Sequence, residues 1–91
     1  MEVQGAQLTR AEVRHRLTTL LSEIAGIPTG SISDSATVEH ELQMQSVAFI
    51  ELQVAIEEEY NTAIDPIRIV ELNEFGAIVD YVYQCAMSGL Q

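Results

Sequence analysis

The stretch Ser46-Val47-Ala48-Phe49-Ile50-Glu51-Leu52-Gln53-Val54-Ala55-Ile56-Glu57-Glu58-Glu59-Tyr60 decides the fold. Its apolar residues recur at spacings of three and four, and sustained alternation of period two is absent. At about 100° per residue, Phe49, Leu52, Ile56 and Tyr60 fall in one arc of a helix, the natural core face. Val47, Ile50 and Val54 fall in a second arc, nearly opposite. A helix in a small bundle needs only one such stripe. Glu51, Glu57 and Glu58 project around the second one, and burying three carboxylates without partners would be prohibitive. An exposed aliphatic strip rimmed by acids is the pattern of a protein-docking surface. The plain alternative is that one or two of these aliphatics tuck under a neighbouring loop.

Upstream, Thr9 and Glu12 have the spacing of a capping box, and Leu8 and Val13 that of a hydrophobic staple. Val13, Leu17, Leu20, Leu21 and Ile24 then give a first helix one apolar face, which Gly26 and Pro28 end. Residues 27–44 form a long polar connection, with Ile27, Ile32, Val38 and Leu42 as anchors and a short helical turn around Val38–Leu42. A structureless connection of this length is uncommon in a compact domain and is often functional.

Downstream, Asp65 caps and Pro66 starts a short third helix over 66–71. Asn73 is a candidate cap for the last helix, whose Phe75, Ile78, Val79, Val82 and Ala86 share one face. The expected architecture is all-α: a small four-helix bundle of three longer helices and a short third one, with a long loop after the first. It forms a single domain over residues 1–91, flexible at about 1–7 and 88–91.

Composition narrows the partners. Fourteen acids against four bases, all arginine, give a formal charge of −10. Counterion release disfavours nucleic acid on such a surface, and anionic membranes are disfavoured on the same ground. Proteins with basic patches are the expected partners, although acidity also simply keeps a small domain soluble. No apolar run approaches the ~18 residues of a membrane span, and the N-terminus lacks the features of a signal peptide. The single Cys85 cannot form an internal disulfide, which fits a reducing cytoplasmic setting. A monomer is expected.

Intrinsic catalysis finds no support. His15, His40 and Cys85 lack metal-ligand spacing. Glu57, Glu58 and Glu59 diverge around the helix and do not converge on one proton or metal. No glycine-rich phosphate loop occurs.

Ser46 is the residue with two readings. It follows Glu41-Leu42-Gln43-Met44-Gln45 at the head of the second helix, where a serine is most often a cap. A helix N-terminus also presents unpaired N–H groups and partial positive charge, so a phosphate ester there would be electrostatically welcome. The cap and the attachment point stay open on these grounds alone.

The stretch from Glu41 to Val82 resembles the acyl carrier protein family, including the peptidyl carriers of nonribosomal synthesis. The family's attachment motif reads Asp-Ser-Leu; here it reads Gln45-Ser46-Val47. The segment Ile50-Glu51-Leu52 through Ile56-Glu57-Glu58-Glu59-Tyr60 matches the family's acidic second helix. Ile64-Asp65 and Ala77-Ile78-Val79-Asp80-Tyr81-Val82 match the entry to the third helix and the fourth helix.

The resemblance implies that Ser46 carries a 4′-phosphopantetheine arm, transferred from coenzyme A by a phosphopantetheinyl transferase. Acyl or aminoacyl groups would then ride on it as thioesters, making the chain a carrier and not an enzyme. Gln45, Val47, Ile50, Glu51, Val54, Glu57, Glu58 and, from the third helix, Arg68 become partner contacts, with Ile67 adding to that surface. Implied partners are the transferase, a loading enzyme (an acyltransferase or adenylating ligase), and a ketosynthase or other downstream transferase.

Gln45 departs from the family's aspartate, which helps position the serine and the metal during transfer. With Val47, Gln43 and Met44 it points away from primary metabolism, toward a free-standing carrier of polyketide, antibiotic or hybrid pathways. The alternatives are a fatty acid synthase carrier and, from another class, an acidic helical interaction module without a prosthetic group.

Overall fold

The structure, a computed structural model, describes residues 8–42 and 45–89. It is a helical bundle in which α1 (Arg10–Ala25), α2 (Ser46–Tyr60), α3 (Pro66–Leu72) and α4 (Phe75–Gly89) follow in order. Among the described residues there is no strand; one isolated antiparallel bridge joins Thr37 to Glu74. Of the ends expected to be flexible, 1–7 and 88–91, residues 1–7 and 90–91 lie outside the described residues, while Ser88 and Gly89 belong to α4.

Local chemistry accounts for the ends of the helices. Thr9 accepts the Glu12 N–H at 3.1 Å while the Glu12 carboxylate accepts the Thr9 N–H at 3.0 Å, completing the capping box. Gly26 ends α1 at φ 71°, a left-handed conformation that costs glycine nothing. Asp65 Oδ1 accepts the Ile67 N–H at 3.0 Å, and Pro66 opens α3. Asn73 differs from expectation. It ends α3 at φ 66° and donates to Ile69, one residue too early to cap α4, which begins at Phe75.

The core is aliphatic with one aromatic at its centre. Val13, Leu17, Leu20 and Leu21 of α1 meet Leu52 and Ile56 of α2, Ile69 of α3, and Phe75, Ile78, Val79 and Val82 of α4. The four loop anchors Ile27, Ile32, Val38 and Leu42 are all buried, as is Ala36. Two short turns break the loop: a 3-10 turn over Thr29–Ser31 and a wide π-type turn over Val38–Leu42. In the latter, Leu42 N–H reaches back five residues to the Thr37 carbonyl at 3.0 Å.

The loop is held by pairing with the α3–α4 junction. Gly76 N–H donates to Asp34 O at 2.9 Å, Phe75 N–H to Ala36 O at 2.8 Å, and Val38 N–H to Asn73 O at 2.8 Å. Gly76 permits this approach: a Cβ there would stand 3.2 Å from the Asp34 carbonyl oxygen. Above the pairing, Arg14 bonds Asp34 at 2.6 Å and lies over the Phe75 ring at 5.4 Å, while Arg10 bridges Asp80, Gly76 O and Asp34. A charged clasp therefore joins α1, the loop and α4.

That clasp has a pH signature. The hydrogen bond from Arg14 holds the Asp34 carboxyl below its ordinary value against an opposing desolvation, with the charges of Arg14 and Arg10 adding to the effect. A carboxyl lowered in the folded state contributes stability above its unfolded value of about 3.9 and loses it as pH falls through the folded one. Asp34→Asn should therefore be less stable than the parent at pH 7, and the difference should close as pH drops below about 4. Urea unfolding across that range measures it; a deficit unchanged down to pH 2 (where about all carboxyls are protonated) would contradict the clasp.

Candidate functional site

The head of α2 is where the sequence singles out Ser46. Gln45 precedes the helix in extended conformation (φ −79°, ψ 162°), and its carbonyl accepts the Phe49 N–H at 3.1 Å. The cap position therefore falls on Gln45, and Ser46 is the first helical residue. Gln45 makes no side-chain cap bond. No acid stands in the first turn of α2, whereas α1 has Glu12 in its own. The first turn of this helix thus carries no acid of its own, which suits a phosphate attached from outside.

Leading away from Ser46, α2 presents its two stripes as the periodicity predicts. Leu52 and Ile56 are buried, with Phe49 and Tyr60 half-buried against the same core. Val47, Ile50 and Val54 stand out at 66%, 58% and 45% exposure. Glu51 and Glu58 are exposed beside them.

Glu57 sits differently from its neighbours. It is half-buried, and its Oε2 accepts the Ile64 N–H at 2.9 Å and the Gln53 side-chain N–H at 3.4 Å. This carboxylate latches the α2–α3 connection, together with Thr62 donating to Cys85 O at 3.2 Å and Asp65 N–H donating to the Tyr81 hydroxyl at 3.0 Å. Burial raises the Tyr81 phenol, so it stays a neutral hydroxyl at that junction.

Arg68 is exposed on α3 and pairs with Glu71 at 3.6 Å, with Ile67 and Val70 also exposed on that helix. Val70 had no part in the sequence-derived set, because a seven-residue helix shows too little periodicity to rank its outward aliphatics. Gln43 and Met44 lie outside the described residues. His15 and His40 are both exposed, and among the described residues no cluster of His, Cys, Asp or Glu could hold a metal ion. No helix of the described residues is long and apolar enough to cross a membrane.

Beneath the site the interior is closed. Leu42, Phe49, Leu52, Ile69 and Phe75 are among the side chains around a cavity of about 10 Å³, room for about one water.

Residues 15–82 match the family described as Phosphopantetheine attachment site. The chain is similar to an acyl carrier protein of Acidothermus cellulolyticus, 28% identical over 81 residues that cover 89% of this chain and 96% of the relative. It is also similar to an acyl carrier protein of Cyanidioschyzon merolae, 27% identical over 77 residues and covering 85% of each. The family's members are carriers and not catalysts, and their prosthetic group is a covalently attached 4′-phosphopantetheine. With an all-helical bundle and a matched region spanning most of the sequence, the chain belongs to this phosphopantetheine-binding family of acyl carrier proteins.

Proposed function

We propose that Ser46 is the residue to which 4′-phosphopantetheine is esterified, and that residues 1–91 work as one carrier domain. The observation that carries this reading is the head of α2: a serine in the first turn, uncapped by Gln45 and without an acid in that turn, beside an exposed aliphatic strip. The backbone N–H groups of that turn would hold the phosphate. The bound group supplies a terminal thiol on which an acyl or aminoacyl chain rides as a thioester. Val47, Ile50 and Val54, with Glu51 and Glu58 beside them, offer partner enzymes an apolar contact between fixed negative charges. Gln45 stands immediately before the strip, Arg68 would add an exposed cation from α3, and Glu57 supports the strip through the connection it latches.

The partners under this reading are a phosphopantetheinyl transferase, an acyltransferase or adenylating ligase that loads the thiol, and a ketosynthase or other enzyme that unloads it. We assign the chain to a polyketide or related secondary-metabolite pathway in the cytoplasm. Gln45 and Val47, in place of the family's usual aspartate and leucine, support a dedicated set of partners, and a lone Cys85 fits a reducing compartment. An interaction module without a prosthetic group is disfavoured by membership of the family.

The test is direct. Incubation with coenzyme A and a broad-specificity transferase should add one phosphopantetheinyl group by intact mass, and peptide fragmentation should place it on Ser46. No adduct, or an adduct on another hydroxyl, would overturn the assignment.

A further inference from the structure

α1 and α3 each begin on a side-chain cap, Thr9 and Asp65, whereas Gln45 at the head of α2 makes no cap bond. The π-type turn over Val38–Leu42 stands just upstream, and its donors are satisfied from elsewhere. Val38 N–H donates to Asn73 O at 2.8 Å, and Glu39 N–H to Asn73 Oδ1 at a longer 3.4 Å. His40 N–H donates to Thr37 Oγ1 at 3.2 Å, and Leu42 N–H to the Thr37 carbonyl. Asn73 thus caps the start of this turn across a separation of 34 residues. It adopts an uncommon backbone to do so. Its φ of 66° and ψ of −47° lie outside the left-handed helical well, and Glu74 N–H closes a tight three-residue turn onto Leu72 O at 2.7 Å. A residue other than glycine keeps such a backbone only where its surroundings impose it.

The turn leads directly to α2. Leu42, its last residue, is buried, and it borders the small interior cavity together with Phe49 from the first turn of α2. Only three residues separate Leu42 from Ser46, so a shift of the turn reaches the serine over a short span. We propose that Asn73 is a positioning residue for phosphopantetheine transfer: by capping the π-type turn it fixes the approach to α2 and presents Ser46 to the transferase. This rests on the reading that Ser46 is the attachment point, and it gives the α3–α4 junction the part that a cap at Gln45 would otherwise play. In the transfer the serine oxygen bonds to the pantetheine-side phosphorus of coenzyme A as the pyrophosphate P–O bond breaks. Adenosine bisphosphate leaves with that electron pair, and the serine proton passes to solvent.

Transfer kinetics on the full-length chain test this, with a broad-specificity transferase and saturating coenzyme A giving kcat and KM for the carrier. Asn73→Gly accepts a φ of 66° and removes only the side-chain oxygen. Its kcat should fall about fivefold, the population shift that one net hydrogen bond is worth, while KM changes by less than about twofold. Asn73→Asp restores an acceptor at the same place and should return kcat to within about twofold of the parent. Amide exchange on the same chains should quicken at Val38 and Glu39 in Asn73→Gly and stay unchanged at Leu17 and Leu20 of α1. A merely structural loss would instead quicken exchange throughout and leave the kcat of the folded chain untouched. Parental kcat in Asn73→Gly, a loss that Asn73→Asp does not restore, or exchange that rises equally at Leu17 would each overturn the positioning role. A parent chain without an adduct on Ser46 loses both the attachment reading and this role. A modified parent with an indifferent Asn73→Gly loses only this role.

Discussion

Ser46→Ala is expected to abolish phosphopantetheine addition outright while leaving the fold within about 0.5 kcal/mol of the parent. The loss is total because the proposed acceptor oxygen itself is removed. The other hydroxyls of the loop preceding α2, at Thr29, Ser31, Ser33, Ser35 and Thr37, all stand before the π-type turn and not at the helix head. The small stability effect follows from position. Ser46 is the first residue of α2 and Gln45 occupies the cap, so alanine there meets no loss of a cap and is a good helix former. Intact mass after incubation with coenzyme A and transferase reads the first claim, and urea unfolding reads the second. An adduct of unchanged yield in Ser46→Ala would sink the assignment whatever the melting curve showed. Gln45→Asp extends the same series. It restores the carboxylate that the family usually has beside its serine, and the transfer rate should rise. A rate that falls would mean that this chain's transferase requires the neutral residue.

The sequence makes α2 legible because both of its properties are local. Core and exposed stripes follow from a 100° step applied to Phe49, Leu52 and Ile56 on one side and Val47, Ile50 and Val54 on the other (about 3.6 residues per turn). Their burial agrees with that periodicity residue by residue. The capping box at Thr9 and Glu12 and the Asp65-Pro66 start of α3 are local in the same sense.

What the sequence hides is produced by contacts between distant segments. The pairing of residues 34–38 with 73–76 involves too few residues for an alternating pattern, and this is why Asn73 reads as a cap for the wrong helix. Arg10 reaches Asp80 across most of the chain, and no spacing rule connects them. Glu57 reads as one more surface acid beside Glu58 until the α2–α3 connection folds back and places Ile64 N–H on it. Glu23 joins the acids of α2 only because α1 and α2 pack side by side. The candidate site is therefore half legible. Its helix is written locally, whereas the loop before it and the Glu57 latch behind it are set by packing.

Phe75→Ala should be the most damaging single substitution in the bundle, costing about 3–5 kcal/mol. Phe75 is 1% exposed and its ring lies beneath Arg14 in the core shared by α1, α2 and α3, while its backbone N–H, which alanine would keep, donates to Ala36 O at 2.8 Å. The neighbouring void is only about 10 Å³, and deletion of the ring would open a hole approaching the volume of the side chain. A domain of this size has a total stability of about 5–13 kcal/mol, so the loss removes a large share of it. The melting temperature should fall by at least about 12 °C. Val54→Ala is the informative contrast. It also removes an aliphatic group, but from a side chain that is 45% exposed, and should cost less than about 0.5 kcal/mol. The two variants together separate the core from the exposed stripe. If Val54→Ala proves as destabilising as Phe75→Ala, the second stripe of α2 is covered in the folded chain, and partners must grip this carrier somewhere else.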